Sequence, residues 1–320
     1  MEYPFVLVLG GSGFIGSHLI AKLSQTGRRV IAVTRHYEHA KHLAVLPAID
    51  DVVEADIHDD AVLDRLMIGM DAVINLVGVL HSRPGQPYGP EFSKAHVELP
   101  RRIVAACAAN GVRRYLHMSA LGADVNGPSM YLRSKGAGEA AALSNPAVAT
   151  TIFRPSVVFG EGDHFLNLFA SMQKFMPVML LAGAHARFQP VYVQDVAQAF
   201  VNALDDDHTI GKTYELAGPR IYTLRELVEL AGVYSGHSRP VIELPPTLSR
   251  MQAWFLEHLP GDPLMSRDNL DSMKTDNVAS APISPELGIV PDALEALAPQ
   301  YLSRDKSLTR PEQLRDKTRH

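Results

Sequence analysis

Tyr131 and Lys135 stand four residues apart in a stretch that reads as a helix from about Ser129 to Leu143, so they share one helical face. An ammonium beside a phenol favours tyrosinate, drawing the phenol from its ordinary pKa of about 10 toward a range useful for general acid and base work. Twelve residues earlier, Ser119 follows the strand-like run Arg114-Tyr115-Leu116-His117-Met118. A hydroxyl placed there can orient a carbonyl or an alcohol beside the tyrosine. Together the three residues could manage a proton while a hydride moves to or from a carrier. The tyrosine–lysine spacing alone is a weak signal, and its position on the helix after a serine-bearing strand strengthens it.

A hydride carrier needs its own site, and the start of the chain supplies one. Phe5-Val6-Leu7-Val8-Leu9 is long enough for one buried strand, and Ile15, Leu19, Ile20 and Leu23 then recur with helical period. Between them lies Gly10-Gly11-Ser12-Gly13-Phe14-Ile15-Gly16. Glycines at a strand-to-helix turn permit a tight bend, bring backbone N–H groups close to a phosphate and seat the helix on the sheet. The helix N-terminus adds a partial positive charge. The alternative is a glycine turn with no ligand.

Two further positions bear on the adenosine end. The second strand, Arg29 to Thr34, is followed by Arg35 and meets no carboxylate until Glu38. An acidic residue there suits the ribose hydroxyl of NAD, whereas arginine can bind the 2′-phosphate of NADP in bidentate fashion. Arg35 therefore favours NADP(H), with NAD(H) and a merely solvated arginine as the alternatives. Asp56-Ile57 follows the third strand, Asp51 to Glu54. Asp56 could accept from the adenine amino group or cap the next helix.

Strands at 72–77, 114–118 and 150–153 continue the alternation with helices, the longest running from about Glu91 to Asn110 and stopping at Gly111. The pattern predicts an α/β fold: a Rossmann doubly wound parallel sheet with a smaller C-terminal α/β cap. Residues 1–155 form the nucleotide domain, completed by segments near 188–217, and 156–302 form an interleaved cap. Residues 303–320, with six Lys/Arg against three Asp/Glu, form a mobile basic tail that could also serve as a partner-binding arm.

Composition narrows the function classes. The net charge of −5 argues against nucleic acid, and 46% hydrophobic residues supply a substantial core. Cys107 is the single cysteine and reads as small-residue helix packing. The apolar stretch near 175–184 is too short for a membrane span and contains Pro177. The first strand begins at once, with no leader ahead of it, so a cytoplasmic protein is expected, with peripheral attachment to the inner face of a membrane still compatible. His36, His39 and His42 read as a solvated face rather than a metal site. Asp195 reads as an N-cap, and Arg187 and Phe188 as either pocket lining or packing.

The glycine turn, Ser119, Tyr131, Lys135 and the run Arg154-Pro155-Ser156-Val157-Val158-Phe159-Gly160 together resemble the short-chain dehydrogenase/reductase superfamily, in its extended and atypical branch of epimerases and dehydratases. The likeness extends to about residue 300. Segments 159–167, 188–197 and 214–219 are further similar to bacterial relatives of the nucleotide-binding accessory subunit of respiratory complex I, an NADPH-binding structural protein. The resemblance implies a pyrophosphate held by Gly10, Gly13 and Gly16 and an adenosine end at Arg35 and Asp56. It also implies a nicotinamide bordered by Pro155 through Val158, and Ser119, Tyr131 and Lys135 at the catalytic positions, with Lys135 touching the ribose. After the fourth strand the usual His-x-Ala-Ala run is replaced by Asn75-Leu76-Val77-Gly78. The cofactor floor of Asn75, Val77 and Gly78 survives this change, while a sugar-nucleotide substrate becomes less favoured. Two readings lead. One is an NADP(H)-dependent oxidoreductase of respiratory or quinone-related type acting on a small carbonyl or quinone. The other is a non-catalytic NADPH-binding accessory or redox-sensing subunit associated with complex I. A nucleotide-sugar epimerase or dehydratase is a third.

Overall fold

Strands covered on both faces need side chains that are apolar on both faces, and the two most central strands have them. The computed structural model describes residues 3–40, 43, 49–258 and 263–303. Its main sheet contains β1 (Phe5–Leu9), β2 (Arg29–Thr34), β3 (Ile49–Glu54), β4 (Ala72–Asn75), β5 (Arg114–Met118), β6 (Ala149–Pro155) and β7 (Thr213–Leu216). All seven are parallel, in the order β7-β6-β5-β4-β1-β2-β3. In β1, Val6 and Val8 face a core shared with Leu19, Ile20, Val196 and Phe200, and Leu7 and Leu9 face the opposite core with Met67, Ile103 and Cys107. Helices α1 (Phe14–Leu23) and α6 (Val193–Asp205) cover the first face, and α2 (Asp60–Met67) and α3 (Leu99–Asn110) cover the second. Between them in sequence come α4 (Met130–Ala142), which carries Tyr131 and Lys135, and α5 (Leu166–Phe175).

After β6 the chain builds a second packing unit, then returns to the sheet through α6 and β7. α5, α7 (Leu224–Ser235) and α9 (Leu294–Leu302) enclose Phe159, Tyr222, Leu227 and Ala298. The strand Met179–Leu181 pairs in parallel with Val241–Glu243, and α8 (Pro246–Glu257) follows. No described helix is long and apolar enough to cross a membrane. Residues 304–320 and His42, together with the side chain of His39, lie outside the described residues.

Three local expectations change. The fourth strand ends at Asn75 rather than Val77, because the Asn75 Oδ1 accepts from Val77 N (3.0 Å) and turns the chain. The helix expected over 91–110 contains a π-helical segment, Ser93–Glu98, ahead of α3. Neither expected cap is a cap. Asp59 caps α2, while Asp56 accepts from His58 N in an Asx turn (2.9 Å). α6 starts earlier than expected, with Tyr192 at its N-cap, so Asp195 falls in its first turn and accepts from Asp292 N (2.9 Å).

Gly16 shows why the fold requires its glycines. A Cβ there would lie 2.5 Å from Gly10 O and 2.6 Å from Gly11 O, both backbone atoms that cannot move aside. Gly16→Ala should therefore lever α1 off the sheet, at about 1–3 kcal/mol as for other overpacked sites. A thermal melt should register the loss as a Tm several degrees lower. An unchanged Tm would show that the loop relaxes freely.

Candidate active site

In an open parallel sheet, the crevice opens at the carboxyl ends of the strands where the order reverses. Here that point lies between β1 and β4. The loops after these strands nearly touch: a Cβ on Gly10, whose φ is +81°, would lie 3.3 Å from both Leu76 C and Val77 N. Gly13 N donates to Gly10 O (3.1 Å), and Gly13 is the N-cap of α1, with no side chain to cap it and no acidic residue in the first turn. The first N–H groups of α1 are thus left to a ligand, and the cradle fits a pyrophosphate.

The remaining cofactor candidates fall around the same rim, in different ways. Ser12 Oγ bonds Thr34 Oγ1 (2.9 Å), tying the glycine loop to the end of β2. Arg35 is exposed beyond that end and forms no ion pair among the described residues. Phe14 sits edge-on to His18, and Ile15 packs on the core. Ile57 is buried in the core, so only its backbone can face a ligand. Asn75 is buried beneath the floor, where its Nδ2 donates to Tyr115 Oη (3.2 Å). Gly78 is exposed above Lys135: a Cβ there would lie 3.5 Å from Nζ. Pro155 and Val158 border the rim from β6 onward, and Pro155 O accepts from Leu121 N (2.9 Å).

Ser119, Tyr131 and Lys135 come together at the ends of β5 and α4. The Lys135 ammonium is buried and donates to Met118 O (3.2 Å), and it lies 5.9 Å from the Tyr131 ring centre. Burial brings its pKa down to about 8. Burial also acts on the Tyr131 phenol, in the direction opposite to the expectation from the sequence. Desolvation pushes it up to about 12. The phenol is therefore protonated at neutral pH. Ser119 is already engaged: it donates to Glu139 Oε1 (2.5 Å), and Arg154 grips both oxygens of Glu139, at 2.7 and 2.6 Å.

Three residues that shape this site were not singled out from the sequence. Glu139 lies four residues after Lys135 on the same face of α4, a spacing that could have revealed it. His96 sits within the π-helical segment. Its Nδ1 donates to Ser134 Oγ (2.8 Å), which in turn donates to Tyr131 O (2.7 Å), and its Nε2 accepts from Val79 N (3.1 Å). These partners fix a neutral imidazole, and burial holds its pKa well below the ordinary value. The ring stands edge-on to Tyr131 with centroids 5.6 Å apart. Asp268, from a short helix at Arg267–Ser272, accepts from Met130 N (2.7 Å) and Tyr131 N (3.0 Å), fastening the start of α4. No sequence pattern announces a contact across 137 residues.

Beside α4 opens a cavity of about 910 Å³, bounded by the loop at 81–86, by Met130 and Arg133, by α8 and by residues between 263 and 271. Arg187 and Phe188 do not line it. Arg187 pairs with Asp276 at the surface (3.3 Å), and Phe188 packs on Phe165.

The sequence pattern of the NAD dependent epimerase/dehydratase family matches residues 6–217, which run from β1 through β7. The chain belongs to that family. Among its relatives is the mitochondrial NADH dehydrogenase [ubiquinone] 1 alpha subcomplex subunit 9 of Arabidopsis thaliana, 32% identical over 92% of this chain and 76% of that protein. A ceramide reductase of Caulobacter vibrioides is 30% identical over 75% of this chain and 73% of that one. The UDP-glucuronic acid 4-epimerase of Bacillus cereus, solved with UDP-glucuronic acid and NAD, shares the fold with a TM-score of 0.65 at 18% identity. It covers 84% of this chain and 99% of its own. In this family member the NAD(P)-binding fold carries the tyrosine and lysine on α4, with Glu139 beneath them.

The Glu139–Arg154 pair is the charged support of this site. Removing one partner strands the other, at about 3–5 kcal/mol for a buried pair and less where, as here, the arginine is partly exposed. Arg154→Met should thus be strongly destabilising in urea, and adding Glu139→Gln should recover part of the loss. If the two substitutions instead prove additive, the pair is not coupled.

Proposed function

We propose that this protein is an NADP(H)-dependent carbonyl oxidoreductase, with Tyr131 as proton donor. The observation that carries this reading is the buried Lys135. Among the described residues its ammonium makes one hydrogen bond, to Met118 O, although it has three protons to share. A buried cation so sparsely partnered costs stability unless a ligand completes its shell. Ribose hydroxyls entering over Gly78 would do so. The cofactor-binding set is Gly10 through Gly16, with Arg35 and Asp56 at the adenosine end. Asn75, Val77 and Gly78 form the floor, and Lys135, Pro155 and Val158 surround the nicotinamide side. Bound NADPH supplies the hydride. Tyr131, protonated at neutral pH, gives its proton to the developing alkoxide, which suits reduction better than oxidation. Lys135 steadies the phenolate left behind, and Arg35 selects the 2′-phosphate. A relative named as a ceramide reductase supports the reductive direction.

A second reading rests on one contact. While Ser119 donates to Glu139, its hydroxyl proton cannot also polarise a carbonyl. Together with the relative named as a complex I subunit, this favours a nucleotide-binding accessory or redox-sensing protein that associates with that complex at the membrane surface. A quinone remains the substrate to try in either setting.

Tyr131→Phe separates the two. It should lower the rate of NADPH oxidation with a carbonyl substrate by at least about 100-fold and leave the NADPH-induced rise in Tm intact. A parent protein that is stabilised by NADPH yet oxidises it with no carbonyl or quinone would favour the accessory reading. Arg35→Ala should weaken NADPH at least about tenfold, by the loss of a charge-assisted phosphate contact, and leave NADH unchanged in calorimetric titration. Equal weakening of both would remove Arg35 from the 2′-phosphate.

A further inference from the structure

The cavity beside α4 differs from a diphosphate site in how its cations are used. Among the described residues four arginines line it, against the four carboxylates of Glu91, Glu257, Asp268 and Asp271. Arg83 pairs with Glu91 (2.7 Å), Arg267 with Glu257 (2.7 Å) and Arg250 with Asp271 (3.2 Å). Arg133 donates to two backbone carbonyls, Pro87 O (2.8 Å) and Gly127 O (2.9 Å). With cations and carboxylates equal in number, the lining offers a nucleotide-sugar diphosphate little net attraction. A neutral or zwitterionic group needs none, and could bond the same paired charges from the cavity side.

One wall continues into an apolar surface. On α8, Arg250 and Glu257 face the cavity, and Ala253 faces the core. At 100° per residue, Trp254 falls about 40° from Arg250, and Met251, Phe255 and Leu248 follow at about 100°, 140° and 160° on that side. All four are open: Trp254 is 50% exposed, Met251 61%, Phe255 58% and Leu248 44%. Trp254 also lies against His258, a lining residue, with the two rings tilted by 40° and their centroids 4.8 Å apart. So a chamber lined by paired charges, which reaches Met130, the residue before Tyr131, is bordered by α8, and the neighbouring face of α8 carries an aromatic and aliphatic strip.

We infer that the substrate is a carbonyl-bearing amphiphile, with an uncharged or zwitterionic head in the cavity and an alkyl chain laid along Trp254, Met251 and Phe255. The carbonyl rests on the oxidoreductase reading above. The division into head and chain rests on the cavity and α8 alone.

Trp254 is the single tryptophan of the chain, so its emission reports on this strip directly. The full-length protein with NADPH bound would be titrated with methyl 3-oxoalkanoates of increasing chain length, below their solubility limits. Emission should shift to the blue, and affinity should rise by about two- to fourfold per added methylene, the range for partial to full burial of a CH2. Met251→Ser together with Phe255→Ser should flatten that dependence and leave the NADPH-induced Tm rise untouched. Affinity that does not depend on chain length would overturn the proposal, as would UDP-glucose binding more tightly than the longest ester. An equal blue shift on plain phosphatidylcholine vesicles, with no response to the esters, would overturn it too, marking α8 as a membrane-docking face. If the esters bind with the expected dependence but NADPH is not oxidised, the oxidoreductase reading fails and the amphiphile site stands.

Discussion

Parallel strands cannot be joined by tight turns, and this constraint orders everything else in the molecule. Each strand must send the chain back across a face of the sheet, so each strand ends on the same rim. Seven such strands place the loops after Leu9, Thr34, Glu54, Asn75, Met118, Pro155 and Leu216 along one edge. Where the order reverses, the loops after β1 and β4 part around a crevice and come within van der Waals contact at Gly10. Glycine at 10 is a steric consequence of that closeness, and glycine at 16 follows from the approach of α1 to Gly10 O and Gly11 O. The same closeness would put backbone N–H groups against a phosphate.

The site above the rim is held by buried charge more than by packing. Lys135, Glu139 and Arg154 contribute two cations and one carboxylate, and Ser119 is drawn into the group through Glu139. Glu139 offsets the ammonium from below, and Arg154 fixes Glu139 in place. The result is a lysine lowered toward neutrality by desolvation and a tyrosine raised by the same cause. Burial therefore pushes the two groups toward their uncharged forms. That is the state in which a phenol can give up a proton.

The residues after β6 do more than cover the sheet. Asp268 caps the first turn of α4, and Asp163, itself buried, accepts from Leu166 N (2.7 Å) and from Tyr301 Oη (2.8 Å) to join α5 to α9. Each contact links positions more than 130 residues apart or fixes a loop beside the crevice. The C-terminal half thus shapes both the start of the tyrosine helix and the wall of the neighbouring cavity.

Local pattern was enough for the sheet and the glycine turn. The apolar runs, the helical period after Gly16 and the Tyr131–Lys135 spacing depend on neighbours within one or two turns, and those relations survive folding unchanged. The family likeness followed from the same short segments. What local pattern missed was set by contacts that no window spans. The strand at 72–77 was shortened by Asn75 bonding its own turn, and Asp195 was claimed by Asp292 rather than by its helix. The sequence by itself determined a dinucleotide fold with a tyrosine and a lysine on one helical face. Only the tertiary structure decided their protonation, the engagement of Ser119 by Glu139 and the pairing of the cavity arginines, because desolvation and ion pairing depend on groups brought together from distant parts of the chain.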